Sequence, residues 1–337
     1  MQYSTPTPVR NSWSHPEVIL VATDLNDLDR LMPFAFEQAR ETDARLLLLH
    51  VLAAGGGMAV DAAGMPYYDQ AAALEFATKI LEPWCERAHN LGISCDALVR
   101  EGHAAHRIAA ALQQFQADRV LLGTRSRSKL GKLLLGSVAE QVLRSVNLPV
   151  ITVGPEAHLP VNEQNADAQE VGHQARIVLH ATTLRETSIP SAALACQIAA
   201  RQGAKLVLLH VLPPAEEPGG FHPFAGKSGR SGEPASLDSA ALHELQILAA
   251  QAGASCCSAI EPLVVYGNPS IEILAAAAES HASLIVLAAT ERSIFQALTR
   301  DRTIYRVLAH ARCPVLTLRE PVATPLPFKE HVSSLHQ

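Results

Sequence analysis

The sequence predicts an α/β protein built from two copies of one unit, each a doubly wound, five-stranded parallel sheet. Three observations predict this fold class. The segment Leu-Leu-His-Val-Leu occurs twice, at 48–52 and at 208–212. Three further apolar segments recur in the same order at nearly constant spacing, which indicates an internal repeat. Stretches with helical periodicity lie between these runs, and such alternation is typical of parallel strands joined by crossover helices.

Each copy contains five short, mostly apolar runs that suit strands buried on both faces of a sheet. In copy one, strands are predicted at 17–24, 45–52, 94–100, 119–124 and 148–153. In copy two, strands are predicted at 176–183, 205–212, 256–265, 284–289 and 313–318. The spacing between matched positions is nearly constant, since His50 and His210 are 160 residues apart and Pro149 and Pro314 are 165 apart.

The segments between the strands carry helical periodicity. Helices are predicted at 27–42, 69–91, 103–116 and 137–146 in copy one, and at 187–202, 236–252, 269–281 and 301–310 in copy two. Each copy therefore alternates strands and helices from its first strand to its fifth, which requires right-handed crossovers.

The chain divides into two domains, a linker and a tail. Copy one spans 16–154 and copy two spans 175–319. The segment 155–174 is polar, contains two prolines and has no periodicity, so we interpret it as the linker. The segment 320–337 holds three prolines and is predicted to be a tail outside the folded units.

Composition excludes several classes of protein. The net charge of −6 argues against a protein that coats nucleic acid through a general positive field. No apolar run reaches the length of a membrane span, and the polar, proline-containing start does not resemble a secretion signal, so we expect a cytoplasmic protein. The six cysteines form no C-x-x-C pair, and we expect no metal site and predict that most of them are small, buried apolar residues.

The loop after the fourth strand of copy one carries the clearest chemical signal. It runs from Gly123 to Gly136 and Ser137, and it contains four basic residues, namely Arg125, Arg127, Lys129 and Lys132. Gly123 would let the backbone turn tightly as it leaves the strand. Gly136 and Ser137 open the next helix, where free N–H groups and the helix dipole favour a phosphate. The pattern predicts a site for a polyphosphate ligand.

A structural alternative exists for the same residues. Ser137 and Glu140 have the spacing of a capping box, which would explain the serine without a ligand. Asp24, after the first strand, could accept hydrogen bonds from a base or ribose, or it could cap the following helix. His50 and His210 recur in both copies, so we predict that they are structural, each with a hydrogen-bonded ring at a strand end.

The loop resembles the ATP loop of the universal stress protein family, the UspA type, with its pattern G-x2-G-x9-G-[ST]. Counting from Gly123, the second glycine position is Ser126, and nine residues later come Gly136 and Ser137. The runs VILVATDL and LLLLHVL are also similar to the first two strands of that family. The resemblance covers both copies and implies two Rossmann-like domains with strand order 3-2-1-4-5, whose last strands pair within the chain. A further homodimer is also compatible with it.

The resemblance also implies which residues contact a nucleotide. The adenine-side contacts fall at the ends of the first two strands, on Ala22, Thr23, Asp24 and Val51. The phosphate and ribose contacts fall around the loop, on Leu122, Gly123, Arg125, Ser126, Gly136, Ser137 and Val138. The implied ligand is ATP, with or without Mg²⁺. Ser126 departs from the family glycine, and its side chain could crowd the phosphates or donate to them.

Copy two departs much further from the pattern. Thr183 stands opposite Asp24, Ala288 opposite Gly123 and Glu291 opposite Ser126. Asp301 and Arg302 stand opposite Gly136 and Ser137. The carboxylates would repel phosphate and the added side chains would narrow the backbone cradle, so we expect no nucleotide in copy two.

The resemblance therefore implies a tandem universal stress protein, with a regulatory role in stress tolerance and nucleotide held by copy one only. The alternative is a nucleotide-free interaction or chaperone-like module that binds a protein partner. An enzyme is not expected beyond slow ATP hydrolysis, because the sequence contains no paired acid, nucleophile-base set or metal cluster.

Overall fold

The computed structural model describes residues 13–53, 58–60, 66–124, 135–158, 176–184, 188–214, 234–253, 259–290 and 302–320. The strands in these ranges are β1 (Val18–Thr23), β2 (Arg45–Leu52), β3 (Met58–Val60), β4 (Pro66–Tyr68), β5 (Cys95–Glu101), β6 (Arg119–Gly123), β7 (Val150–Val153), β8 (Ile177–Ala181), β9 (Lys205–Leu212), β10 (Ile260–Tyr266), β11 (Leu284–Thr290) and β12 (Val315–Glu320). The helices are α1 (Leu28–Thr42), α2 (Gln70–Asn90), α3 (Ala104–Gln114), α4 (Ser137–Ser145), α5 (Ile189–Arg201), α6 (Pro234–Gly253), α7 (Pro269–Glu279) and α8 (Arg302–His310).

Ten of the strands form one continuous sheet. Their order is β10-β9-β8-β11-β12-β7-β6-β1-β2-β5, so each half has the order 3-2-1-4-5 when its strands are numbered within its own copy. Neighbours within a half are parallel. The halves join through β7 and β12, which run antiparallel with Leu316 beside Ile151. The predicted fold class and the pairing of the last strands are confirmed, and each last strand covers the apolar edge of the other.

One local element was not predicted. A short antiparallel hairpin pairs β3 with β4 in the segment between β2 and α2. Its strands are three residues long, which is too short for an alternation of apolar and polar residues to stand out in the sequence.

The core consists of two apolar layers, one on each face of the sheet. Successive residues of β1 alternate between them, so that Ile19 and Val21 belong to one layer and Leu20 and Ala22 to the other. The first layer is covered by α1, α2, α5 and α6, and the second by α3, α4, α7 and α8. The arrangement follows from period-two alternation in strands that are buried on both faces.

Polar contacts also join the two copies beside the β7–β12 pair. The guanidinium of Arg176 in copy two lies 2.8 Å from Glu37 and 3.1 Å from Glu41, both on α1 of copy one. Gln202 donates to the other oxygen of Glu41 at 2.9 Å. Burial raises the pKa of the Glu41 carboxyl above its ordinary value. These contacts hold α1 of copy one against copy two.

Three cysteines match the prediction of small, buried residues. Cys85, Cys95 and Cys313 carry free thiols and are buried. Cys196 is also buried, on α5, but it is disulfide-bonded, which the sequence did not predict. Cys256 and Cys257 lie outside the described residues.

Candidate functional site

The carboxyl ends of β1, β2 and β6 meet at one edge of the sheet in copy one. Ala22 lies between Leu49 of β2 and Leu122 of β6. One residue further along, Thr23 pairs with His50, and Val51 follows on β2. The structure thus brings together the predicted residues at the ends of all three strands. In a parallel sheet this is the edge where ligands bind.

The apolar members of the predicted site share one face of the sheet. Ala22 and Leu122 are buried in the second core layer, and Val51 and Val138 pack against that layer while staying partly exposed. Val138 belongs to the first turn of α4. The edge of the sheet and the start of α4 therefore pack on the same core layer.

The two ends of the loop between β6 and α4 lie next to each other. The amide of Gly136 donates to the carbonyl oxygen of Thr124 at 3.1 Å, which holds the two ends of the loop together. The Thr124 hydroxyl is buried and has no hydrogen-bond partner among the described residues. Two predicted contacts, Arg125 and Ser126, lie outside the described residues.

The N-cap residue of α4 has no side chain that could cap the helix. Gly136 is the N-cap residue with φ −62° and ψ 144°, and the helix begins at Ser137. Glu140 does not reach back to the helix start but pairs with Arg144 at 2.6 Å. The capping-box interpretation is therefore wrong, because Ser137 lies one position too late to cap. The first amides of α4 are left without intrahelical acceptors, which is the property that favours an anion.

Asp24 occupies a turn rather than a helix cap. Its carboxylate accepts from the amide of Asn26 at 2.9 Å, and the N-cap position of α1 is taken by Asp27. The helix-cap alternative for Asp24 is wrong. The Thr23 hydroxyl is engaged locally, since it donates to Asp27 at 2.6 Å and accepts from the amide of Leu25 at 2.9 Å.

Asp27 is a buried acidic residue that the sequence interpretation missed. Only 6% of its surface is exposed, and burial raises the pKa of its carboxyl above the ordinary value. Its Oδ2 atom lies beside the backbone of Gly123, where an added Cβ would come within 2.4 Å of it. The glycine is thus required by the close approach of Asp27. The φ of Gly123 is not in the left-handed region, so the backbone conformation at this position does not itself require glycine.

Both repeated histidines have the predicted structural role. The Nδ1 atom of His50 lies 2.9 Å from the carbonyl oxygen of Thr23, and Nδ1 of His210 lies 2.9 Å from that of Thr182. Each ring therefore links the end of a second strand to the end of the first strand of its copy.

Copy two has the same strand arrangement at this edge but different residues at the positions of Gly123 and Asp24. Ala181 lies beside Leu287 as Ala22 lies beside Leu122, so Ala288 occupies the position of Gly123. The turn after the first strand is also repeated, with Thr182 accepting from Leu184 at 3.1 Å. Thr183 replaces Asp24 in that turn. Glu291 and Asp301 lie outside the described residues.

A cavity of about 540 Å³ lies elsewhere, between α7, the end of α8 and the segment after β7. Its lining includes His158, His281 and Arg312 and none of the predicted contacts. Across the described ranges, no group of three or more His, Cys, Asp or Glu side chains could hold a metal ion. No helix in the described parts of the chain is long and apolar enough to cross a membrane.

Comparison with known proteins agrees with this architecture. By sequence, the chain is 31% identical over 144 residues to a universal stress protein of Thermus aquaticus, which covers 41% of this chain and 98% of the relative. It is 26% identical over 146 residues to one of Methanocaldococcus jannaschii, which covers 43% of this chain and 86% of the relative. Each match thus corresponds to about one copy.

A solved structure matches both copies together. A universal stress protein from Archaeoglobus fulgidus superposes with a TM-score of 0.63 at 20% identity, over 90% of this chain and 97% of that protein. At this identity the likeness concerns the fold alone. The model of the universal stress protein family matches residues 16–154 and again residues 175–319. Since these two matches cover most of the sequence, the chain belongs to the universal stress protein family, as a tandem member with two family domains.

Proposed function

We propose that this protein is a cytoplasmic regulatory protein whose copy one binds an adenine nucleotide and whose copy two does not. The ligand is ATP, with or without Mg²⁺, and it acts by shifting stability or conformation rather than by turnover. A ligand that binds only the folded form stabilises it in proportion to its concentration and affinity. The proposal extends family membership to a specific ligand and a specific copy.

The observation that carries the proposal is the uncapped start of α4. Gly136 places no side chain at the helix N-terminus, and no side chain of the described residues caps α4 there. The buried hydroxyl of Thr124 has no hydrogen-bond partner among the described residues, and it lies where the loop to this helix begins. Free amides at a helix start favour phosphate, and four basic residues in the loop add positive charge.

The same edge suits the rest of a nucleotide. Ala22, Leu122 and Val51 offer apolar contact for a base, and Asp24 offers a half-exposed carboxylate for a base or ribose. The family resemblance assigns further phosphate contacts to Arg125 and Ser126. Copy two lacks this combination, because Thr183 replaces the carboxylate and Asp301 replaces the glycine of the helix start.

The second candidate is a nucleotide-free module that binds a protein partner. One observation favours it: Asp27 accounts for Gly123 without any ligand, so this glycine does not by itself indicate a phosphate site. Ser126 replaces the family glycine, and since its side chain could crowd the phosphates, it also favours the nucleotide-free candidate. The two candidates differ in whether the purified chain retains nucleotide.

The test is nucleotide content and binding in three proteins. Wild type, Gly136→Asp and the matched control Asp301→Gly are purified without added nucleotide, denatured and analysed for released adenine nucleotide. ATP affinity is then measured by calorimetry on stripped protein. We expect wild type and Asp301→Gly to bind alike with one ATP per chain. Gly136→Asp should bind at least about tenfold more weakly, because its carboxylate faces the phosphates.

Two results would contradict the proposal. If stripped wild type neither binds ATP nor gains thermal stability from it, the nucleotide-free candidate is favoured. If two ATP molecules bind per chain with similar affinity, the asymmetry between the copies is wrong.

A further inference from the structure

Two thiols of copy one face each other far from the proposed nucleotide site. Cys85 lies in the C-terminal part of α2, and Cys95 is the first residue of β5, the edge strand of the sheet. Their sulfur atoms are 2.9 Å apart, which is closer than an ordinary non-bonded contact between two sulfurs. Both side chains are buried, with 8% and 3% of their surface exposed.

The backbone holds the two thiols in this arrangement. The chain turns between them at Gly92, whose φ of +77° lies in the left-handed region. The amide of Ile93 donates to the carbonyl of Ala88 at 2.9 Å, which ties the end of α2 to the segment that enters β5. Facing thiols joined through a short, closed turn can bond without unfolding of either element.

The two sulfurs are chemically unequal. The hydrogen bond between the two sulfurs lowers the pKa of Cys85 below its ordinary value. The same hydrogen bond, with burial, raises the pKa of Cys95. Cys85 is also the more exposed of the two thiols, and since a thiolate is the reactive form of cysteine, we assign Cys85 as the attacking group and Cys95 as the thiol that follows.

We propose that Cys85 and Cys95 form a modification site, a dithiol that hydroperoxides oxidise to a disulfide. The Cys85 thiol releases its proton, and the thiolate attacks the terminal oxygen of a hydroperoxide. The O–O bond breaks, and the leaving alkoxide, or hydroxide from hydrogen peroxide, takes up that proton and departs as an alcohol or water. The resulting sulfenic acid is attacked by the sulfur of Cys95, the S–S bond forms, and water departs with the Cys95 proton. Two thiols and one peroxide thus give one disulfide, one alcohol or water, and one further water.

Within the described parts of copy two, the position that matches Cys95 carries no thiol. Cys95 lies beside Leu46 in the sheet, and the same register in copy two places Ile260 beside Leu206. Oxidation therefore changes one copy of the duplicated unit and leaves the same position in the other unable to react. The disulfide would link the C-terminal part of α2 covalently to β5, the edge strand.

The chain offers a direct readout by peptide mass. Trypsin cleaves after Lys79, Arg87 and Arg100, so the two cysteines fall on separate peptides, 80–87 and 88–100. Folded wild-type protein is treated with one equivalent of hydrogen peroxide, blocked with N-ethylmaleimide and digested. We expect the two peptides joined, two hydrogens lighter than their sum, and separated again by dithiothreitol. Protein unfolded in urea before oxidation should give much less of this pair.

Variants test the order of attack. In Cys95→Ala, the Cys85 sulfenic acid has no thiol to react with, so dimedone should label peptide 80–87. In Cys85→Ala, dimedone labelling of peptide 88–100 should be weaker by at least about tenfold. Cys313→Ala, which removes a buried thiol of copy two, is the matched control and should give the joined peptides as wild type does.

Three outcomes would overturn the proposal. The first is wild-type protein that keeps both thiols free to N-ethylmaleimide after peroxide treatment. The second is oxidation that yields sulfinic acid on either peptide in place of the joined pair. The third is dimedone labelling that favours Cys95 over Cys85. The wild-type measurements hold even if a variant folds poorly.

Discussion

The two copies share their strands and differ in what surrounds them. Ala22 beside Leu122 in copy one corresponds to Ala181 beside Leu287 in copy two, and the turn after the first strand is repeated. Beyond this frame, copy one buries an aspartate against a glycine, whereas copy two buries a histidine within its first strand. The comparison teaches that the packing of a two-faced sheet constrains backbone and register more strictly than it constrains individual polar groups.

The buried histidine of copy two is the sharpest of these differences. His180 is fully buried on β8 between Leu208 and Val286, at the position where β1 has Val21. Its Nδ1 atom lies 3.0 Å from the carbonyl oxygen of Val286. Burial lowers the pKa of His180 from 6.5 to about 4, so the folded protein keeps this ring neutral well below the pH at which an unfolded chain protonates it.

The largest expected effect is the loss of acid sensitivity in His180→Val. Because the pKa of His180 is lower in the folded protein than in the unfolded chain, protonation favours the unfolded chain. The protein is therefore most stable above the unfolded pKa, and it loses stability as the pH falls through the folded pKa. About 2 kcal/mol has been lost by about pH 5 and about 3 kcal/mol by about pH 4, and the loss is complete only below the folded pKa. Urea denaturation at about pH 7.5 and about pH 5 should show this drop in wild type and a clearly smaller drop in the variant.

A matched control separates the titration from local packing. Ser191→Ala removes a hydroxyl 3.4 Å from Nε2 of His180 but keeps the ring buried, so its acid sensitivity should match that of wild type. If His180→Val loses as much stability on acidification as wild type does, the buried ring is not the source of the effect.

The second expected effect concerns the aspartate of copy one. Gly123→Ala places a Cβ within 2.4 Å of the Asp27 carboxylate, and copy two already has alanine at this position. We expect a loss of about 2 kcal/mol of unfolding free energy, because Asp27 is buried and bonded to Thr23. Urea denaturation measures it. The reverse change in copy two, Ala288→Gly, should cost less than about 1 kcal/mol.

A double variant completes this test. Adding Asp27→Ala to Gly123→Ala should recover part of the loss, because the crowded carboxylate is gone. Strict additivity of the two single changes would contradict the close approach as the reason for the glycine.

The parts of the molecule that sequence reasoning could predict are those with a local pattern. Strands and helices follow from apolar periodicity, and the structural histidines follow from repetition. Asp27 was missed because its partner, Gly123, is far away in the chain and no pattern links the two. The contact between Cys85 and Cys95 was missed for a similar reason, since it depends on how α2 meets β5.

Local patterns can also mislead. The spacing of Ser137 and Glu140 fits a capping box, but the helix begins one residue earlier than that motif requires. Such a shift leaves the spacing between the two residues unchanged, but it removes the hydrogen bonds that define a capping box. Which copy binds nucleotide remains a prediction, because it depends on the loop chemistry around this helix start.

The third expected effect concerns the contacts that join the copies. Arg176→Met leaves two carboxylates, Glu37 and Glu41, without their cation at a partly buried site. We expect the free energy of unfolding to fall by about 1 kcal/mol, measured as a lower midpoint of thermal unfolding. Glu41→Gln should cost less, because burial already raises the pKa of this carboxyl and a neutral side chain can still contact Gln202. The opposite ranking of the two variants would contradict this account.

The smallest expected effect is on α4 of copy one, compared with a capped helix of copy two. The Asn268 side chain caps α7 by accepting from the amide of Ser270 at 3.1 Å, so Asn268→Ala should cost about 1 kcal/mol. Ser137→Ala removes no cap and should cost less than about 0.5 kcal/mol, measured by urea denaturation without nucleotide. If both changes cost the same, Ser137 caps α4 after all. The helix start would then be satisfied without an anion, and the main support for nucleotide binding in copy one would be lost.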